Sequence, residues 1–268
     1  MCISISQQAQ DLLLKIARCD NFYVYKNENQ IHSGCREILR CQTTVNRQLP
    51  VPWVGDIEKA PIIFISSNPA LKDNEYVALD SWTDKQVIDI HVNAFEPNKH
   101  WTKDGNKIRK YPLTPEDYLY VPFWTYIWKT TGEILGIDVK KVIPGRSSAL
   151  SEIVHCKSNN QFGVNRAKKV CMDKYLEPML NLSSARIIVL LGAYSTEIIS
   201  EYYKLNIKLA TKMHANETHI AEREIAGRKK LIVALPHNNY HGKKGLTWLK
   251  PYEKETLLKW GKEAISEM

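Results

Sequence analysis

Residues 61–70 have the sequence PIIFISSNPA, and they indicate the fold class more directly than any other segment. Their first half is an unbroken apolar run, which is typical of a parallel strand buried on both faces. The run stops at Asn68-Pro69, and α/β folds bind their ligands where such strands open into loops. The stretch therefore predicts a central strand that holds a carboxamide at a binding edge. A core strand followed by an ordinary Asn-Pro turn is the alternative.

Similar apolar segments recur along the chain, with helical patterns between them. Strands are predicted over 149–155, 185–191, 219–225 and 231–235, and helices over 7–19, 115–135, 165–182 and from Pro251 onward. Buried strands separated by helices favour a parallel sheet with helices on both faces, whose strands end at one common edge. We expect one domain over 1–268, with an N-terminal helical extension at about 1–30 and a C-terminal helix at about 251–267.

Composition and charge favour a protein that binds a polyanion. The chain has 268 residues, is 44% hydrophobic and carries a net charge of +8, partly in short clusters such as Lys243-Lys244. Such an excess favours a nucleic-acid partner, although single clusters are often solvated faces. The apolar runs are too short to span a bilayer and the start lacks the pattern of a secretion signal, so we expect a cytoplasmic protein that binds no membrane. We also expect a monomer. The six cysteines are not expected to form disulfides in the cytoplasm.

Three strand ends resemble, in order, the active-site segments of the uracil-DNA glycosylase superfamily. They are residues 66–70 (SSNPA), 151–156 (SEIVHC) and 235–239 (LPHNN). Pro52-Trp53, Gly163-Val164 with Cys171, and the strand over 187–192 are similar to the iron–sulfur branch, families 4 and 5. The resemblance implies a three-layer α/β/α sandwich with a central, mostly parallel four-stranded sheet. It also implies an enzyme that flips a base out of DNA and hydrolyses its glycosidic bond.

The resemblance assigns catalytic roles to two side chains. Asn68 falls where the family carries Asp or Asn; a carboxamide orients water but is a poor general base, so we expect it to position the water. His237 falls on the histidine of the last motif, where a neutral imidazole can donate to O2 of the departing pyrimidine. The family has His-Pro-Ser there and this chain has His-Asn-Asn. A satisfied core or surface histidine is the alternative.

The largest departure from the family lies at Glu152, where the iron–sulfur branch has an Asn that reads uracil. A carboxylate cannot donate to O4 of uracil but accepts from the N4 amino group of cytosine, and a protonated Glu can donate to cytosine N3. Family 1 enzymes place a Tyr that excludes 5-substituted pyrimidines at the position of Ala70. We therefore expect a 5-modified cytosine as substrate, such as the hydroxymethyl or glucosyl-hydroxymethyl forms of phage DNA, and a role in antiviral defence. If Glu152 only forms a salt bridge, the substrate is uracil or another deaminated base.

Further residues are expected to contact the base and the DNA. Ser67 is expected to offer a backbone N–H to the pyrimidine, and Trp82 to stack on it, although an aromatic residue there is often part of the core. Asn239, Tyr240, His241, Lys243 and Lys244 are expected to bind DNA, with Tyr240 or His241 filling the gap left by the flipped base. No phosphate loop or Schiff-base lysine is evident, so we expect a monofunctional glycosylase. A non-catalytic sensor of modified or single-stranded DNA is the alternative.

The cysteines suggest a metal centre. Cys35, Cys41, Cys156 and Cys171 bracket the first two motifs as the ligands of a 4Fe-4S iron–sulfur cluster do in families 4 and 5. Cys35 and Cys41 are more widely spaced than the corresponding family 4 pair, and Cys19 is a rival ligand. A zinc site and free buried thiols are the other interpretations.

Overall fold

A six-stranded mixed sheet lies at the centre of the fold. The computed structural model describes residues 2–24, 32–40, 48–71, 77–96, 107–109, 118–209, 217–239 and 245–266. In chain order the strands are β1 (Trp53–Val54), β2 (Ile62–Ser66), β3 (Lys107–Arg109), β4 (Tyr118–Tyr120), β5 (Ala149–Glu152), β6 (Ile187–Leu191), β7 (Ile220–Ile225) and β8 (Arg228–Leu235). The large sheet has the order β1-β5-β2-β6-β8-β7, and β3 pairs with β4 in a separate antiparallel sheet.

The predicted α/β class is confirmed, and the described sheet has six strands where four were expected. The neighbours β5, β2, β6 and β8 are parallel, whereas β1 and β7 pair antiparallel at the two edges. β1 has two residues and leaves no periodic pattern in the sequence. β7 forms a hairpin with β8 that turns at Ala226-Gly227, where both φ angles are positive, 54° and 69°, as in tight hairpin turns.

The helices surround the large sheet. They are α1 (Gln7–Ala17), α2 (Asp20–Tyr23), α3 (Ser33–Arg40), α4 (Asp84–Val92), α5 (Pro122–Leu135), α6 (Val164–Cys171), α7 (Glu177–Leu182), α8 (Gly192–Tyr203) and α9 (Pro251–Ser266). The helix predicted over 165–182 is interrupted by a π-helical turn, Met172–Leu176. The helix predicted from residue 115 begins at Pro122 instead, after β4, because proline suits the first turn, where its missing N–H is not needed. Among the described helices, none is long and apolar enough to cross a bilayer.

The side chains of β2 alternate between two hydrophobic clusters, and every residue of the strand is buried. Ile63 and Ile65 belong to a cluster that includes residues of α1, α3 and α6. Ile62 and Phe64 belong to a second cluster with residues of α5 and α9. Burial of each such side chain contributes about 1.5–3 kcal/mol, so β2 is anchored on both faces and its end at Ser66 is placed rigidly.

Candidate active site

A cavity of about 550 Å³ opens where β2, β5 and β8 end. Its lining includes six residues predicted from the sequence as site residues: Ser67, Asn68, Ala70, Glu152, His237 and Asn239. They meet because the parallel strands that precede them all end at the same edge of the sheet. The volume is within the range of pockets that enclose small molecules.

Asn68 is held by hydrogen bonds from its own side-chain amide. Nδ2 donates to the carbonyl oxygen of Pro69 (2.9 Å) and to Oγ of Ser158 (3.0 Å), in the loop after β5. The backbone N–H of Ser158 donates in turn to the Pro69 carbonyl (3.1 Å), so the two loops lie side by side. Oδ1 of Asn68 accepts a long bond from the Ser67 hydroxyl (3.4 Å) and keeps capacity for a second donor. Asn68 therefore presents an oriented acceptor to the cavity.

Glu152 is buried at the end of β5. Burial raises the pKa of its carboxyl group to about 8, although a hydrogen bond with Ser66 and the charge of Lys157 oppose the shift. No described residue hydrogen-bonds to Oε2, which is buried in the cavity wall. A buried polar atom without a partner is costly, and such atoms concentrate where ligands bind. Glu152 is thus mostly a neutral carboxylic acid at pH 7, and its Oε2 is available to a ligand.

Two buried side chains that the sequence alone did not single out share this wall. His91 belongs to α4, and Lys157 lies in the loop after β5. Burial and, to a smaller extent, the charge of Lys157 lower the pKa of His91 to about 3, so the imidazole is neutral. Its Nε2 has no hydrogen-bond partner within the described ranges. His91 could not be singled out, because a histidine on a buried helix face follows the same sequence periodicity as a core residue. Lys157 could have been noticed, because it is a charged residue directly after a buried strand.

His237 follows β8 and stacks on Phe123 of α5. The two ring centroids are 5.4 Å apart and the ring planes meet at 23°. Burial lowers the pKa of His237, so its imidazole is neutral at pH 7. Its Nδ1 accepts a hydrogen bond from the backbone N–H of Asn239 (3.4 Å), which places the remaining proton on Nε2. The loop is anchored by Tyr126, whose hydroxyl donates to the carbonyl oxygen of Pro236 (2.7 Å).

Trp82 does not line the cavity, so it does not fit the expected role of stacking on a base. It precedes α4 and packs against the hydrophobic cluster that contains α1, where its carbonyl oxygen accepts a bond from Nη2 of Arg18 (2.6 Å). Phe123 and Trp124, at the start of α5, supply the aromatic surface of the cavity instead.

Other predicted residues lie at the cavity rim or outside the described residues. Ala70 forms an isolated bridge with Ser158 and is exposed, and Oγ of Ser67 accepts a bond from Nε2 of Gln161 (3.1 Å). Asn239 is exposed at the opposite rim. The remaining DNA-binding candidates, Tyr240, His241, Lys243 and Lys244, lie outside the described residues.

Four buried cysteines belong to one hydrophobic cluster: Cys19, Cys35, Cys156 and Cys171. Burial raises the pKa of Cys35 to about 11 and that of Cys171 to about 12, and the nearby Cys19 adds to both shifts. Burial likewise raises the pKa of Cys156, with contributions from the other three thiols. The expected ligand Cys41 lies outside the described residues. Within the described ranges, no three Cys, His, Asp or Glu side chains form a ready metal-binding group.

No protein-family model matches the chain, and no curated protein is significantly similar to it.

Proposed function

We propose that the protein is a monofunctional DNA glycosylase that flips out and excises a 5-modified cytosine and leaves an abasic site. The observation that carries the proposal is the position of Asn68, Glu152 and His237 around one cavity at the carboxyl edge of parallel strands. These side chains supply an acceptor for water, a neutral acid for the base edge and a neutral imidazole donor. The helices against both faces of the sheet are compatible with the three-layer α/β/α arrangement of the uracil-DNA glycosylase superfamily.

In the proposed reaction, Asn68 positions the attacking water. With Nδ2 committed to Pro69 and Ser158, Oδ1 accepts a hydrogen bond from the water and directs the water oxygen toward C1′ of the deoxyribose. The glycosidic bond breaks first, and its electron pair leaves with the base. The water oxygen then bonds to C1′, and the proton that it releases is taken up by the departing base.

His237 stabilises the charge that develops on the departing base. The hydrogen bond from Asn239 leaves Nε2 as a donor, which we assign to O2 of the pyrimidine. A neutral imidazole is suited to this role, because its hydrogen bond to O2 becomes stronger as negative charge accumulates on that oxygen. Stacking on Phe123 keeps the ring in the orientation that the hydrogen bond requires.

Glu152 reads the edge of the base as a carboxylic acid. Its O–H donates to N3 of cytosine and its carbonyl oxygen accepts from the N4 amino group. A neutral acid can also pair with uracil, by accepting from N3–H and donating to O4, so Glu152 alone does not select cytosine. We favour a 5-modified cytosine because Ala70 lacks the ring with which the Tyr of family 1 enzymes excludes 5-substituted pyrimidines. Uracil excision in base-excision repair is the second candidate.

We propose that the four buried cysteines hold a 4Fe-4S cluster, because they belong to one hydrophobic cluster. Burial raises the pKa of the Cys35, Cys156 and Cys171 thiols, and an iron cluster would supply the positive charge that compensates thiolates. Because Cys19 lies with Cys35, Cys156 and Cys171, we assign it in place of Cys41. A cluster there would tie the segment between α1 and α2 to α3, the end of β5 and the end of α6.

A substrate panel tests the proposed reaction. Matched oligonucleotides carry cytosine, uracil, 5-hydroxymethylcytosine or glucosyl-hydroxymethylcytosine, and abasic sites are scored by alkaline cleavage. We expect cleavage at the modified cytosines only. Cleavage at uracil alone would identify a repair enzyme, and binding without cleavage of any strand would identify a sensor.

Variants of Asn68 separate catalysis from binding. Asn68→Ala is expected to lower the excision rate by roughly 10²–10⁴-fold, the range for one positioned catalytic group, with DNA affinity retained. Asn181→Ala is the matched control, since Asn181 is exposed on α7. An Asn68→Ala protein as active as wild type would contradict the assignment.

The cysteine assignment has its own test. Anaerobically purified protein is expected to absorb at about 400 nm, because thiolate-to-iron charge transfer lies near that wavelength. Cys19→Ser is expected to lose the bound iron, whereas Cys2→Ser, at an exposed thiol, is expected to keep it. Iron that stays bound in Cys19→Ser would assign the fourth ligand elsewhere, and a protein free of iron would rule out the cluster.

A further inference from the structure

An exposed aromatic side chain lies beside the mouth of the cavity. Phe162, in the loop between β5 and α6, is 50% exposed. The two residues before it, Asn160 and Gln161, line the cavity. Packing in the hydrophobic core does not account for this large apolar side chain, because neither hydrophobic cluster includes Phe162.

The loop holds an unusual backbone conformation. Asn160 and Gln161 have φ angles of 51° and 59°, in the left-handed region that residues other than glycine seldom adopt. Backbone strain of this kind persists where surrounding contacts impose it, and it concentrates at functional sites.

Three hydrogen bonds hold the loop, one to the segment of Asn68 and two within the loop itself. Nε2 of Gln161 donates to Oγ of Ser67 (3.1 Å), next to Asn68. The N–H of Phe162 donates to the carbonyl oxygen of Asn159 (2.9 Å), and the N–H of Val164 donates to that of Gln161 (3.1 Å). The loop is therefore tied to the proposed catalytic loop while the ring of Phe162 faces solvent.

We propose that Phe162 is the wedge that enters the base stack of duplex DNA where the target nucleotide has been flipped into the cavity. The inference rests on the proposed function. Extrusion of a base costs stacking energy on both sides of the gap, and an inserted apolar ring restores part of it. Next to Phe162, α6 presents the exposed cations Arg166 and Lys169, which suit the phosphates that flank the gap. Phe162 thus acts where Tyr240 or His241 was expected from the sequence.

A binding experiment tests the wedge without requiring catalysis. The probe is a duplex with one tetrahydrofuran abasic-site analogue and 2-aminopurine as its neighbour, whose fluorescence reports insertion of a ring. Phe162→Ala is expected to bind this duplex about tenfold or more weakly than wild type and to lose the fluorescence change. Phe162→Trp is expected to retain both. Equal affinity and an equal fluorescence change in Phe162→Ala would overturn the proposal.

The matched control is Tyr202→Ala. Tyr202 is 40% exposed and lies near the end of α8, which starts at the end of β6 and so runs away from the cavity edge. This variant is expected to bind the abasic duplex as wild type does. A loss of affinity equal to that of Phe162→Ala would show that any exposed aromatic has the effect, and would overturn the proposal.

Excision assays separate failure of the wedge from failure of the proposed function. On a base that wild type removes, Phe162→Ala is expected to be about tenfold slower on duplex DNA and nearly unchanged on the single strand, where no stack has to be opened. Equal rates for both proteins on duplex DNA would overturn the wedge and leave the glycosylase intact. Abasic-duplex binding that depends on Phe162, in a protein that excises no base, would uphold the wedge and refute the enzyme.

Discussion

Glu152 is a carboxyl group whose protonation state decides what it can recognise. Burial at the end of β5 raises its pKa to about 8, against an ordinary value of 4.5, and the nearby Lys157 limits the shift. Below pH 8 the group both donates and accepts a hydrogen bond, whereas above it the group only accepts. Two measurable consequences follow, one for activity and one for stability.

Under the proposed function, excision is expected to decline as pH rises through about 8, because ionisation removes the proton that Glu152 would donate to the base. Glu152→Gln provides the isosteric comparison, since its amide donates and accepts at every pH in the range. We expect the alkaline decline of kcat/KM to disappear in Glu152→Gln. A decline that persists unchanged in the variant would assign it to another group.

The stability of the folded protein is expected to respond to the same group. The folded pKa is raised, so the folded protein binds more protons than the unfolded chain between about pH 4.5 and 8, and stability falls as pH rises through that window. Relative to Glu152→Gln, wild type is expected to lose about 2–4 kcal/mol of unfolding free energy between about pH 5 and pH 8. Denaturant titrations at the two pH values measure the difference, and parallel curves for both proteins would contradict the burial argument.

At the scale of elements, the approach of α3 to α6 sets the position of the loop that carries Phe162. Gly163 precedes α6 with a φ of 75°, and a Cβ built on it would lie 2.3 Å from the backbone nitrogen of Ile38 in α3. The same contact brings Cys35 of α3 toward Cys171 at the end of α6. A side chain at position 163 would therefore disturb both the rim of the cavity and the cysteine cluster.

Gly163→Ala is expected to destabilise the protein by about 3 kcal/mol or more, because the clash with backbone atoms adds to the strain of the left-handed conformation. Gly227→Ala is the matched control: its φ is 69°, but a Cβ there meets nothing within 4 Å, so only the conformational strain of about 1 kcal/mol remains. Thermal unfolding of the two variants compares these costs. Equal losses of stability in the two variants would mean that α3 and α6 separate easily to make room for the added methyl group.

An element could be predicted from the sequence where its own residues are enough to determine whether it is a strand or a helix. β2, β6 and β8 are apolar runs, and their type does not depend on a distant partner. Asn68 and His237 could be predicted as site residues because they directly follow such runs. β1 could not, because two residues become a strand only through their partner β5. His91 and Phe123 reach the cavity from helices, and the packing of α4 and α5 places them there.

At the scale of the whole molecule, positive charge occurs near both ends of the sheet. Arg166 and Lys169 lie on α6, which follows the cavity rim, and they form surface ion pairs with Glu37 and Asp173 (3.0 Å each). Lys140 and Lys141 follow α5 at the end farthest from the cavity. α5 begins at the cavity with Pro122 and has 14 residues, which separates its two ends by about 20 Å. If DNA binds across the cavity, Arg166 and Lys169 can reach its phosphates, whereas Lys140 and Lys141 cannot.

Two double variants with the same change in net charge test this geometry. Arg166→Glu with Lys169→Glu is expected to weaken duplex binding and to reduce the slope of log Kd against log salt by about 2, since two phosphate contacts are lost. Lys140→Glu with Lys141→Glu is expected to leave that slope unchanged. The two ion pairs that are broken lie at the surface, where Arg166, Lys169 and Asp173 are exposed and Glu37 is half-buried. They contribute only about 0–1 kcal/mol each, so folding is expected to be preserved. Affinity measured between about 50 and 200 mM salt gives both slopes. Equal losses in the two variants would show that DNA responds to net charge alone, and would refute a binding face at the cavity.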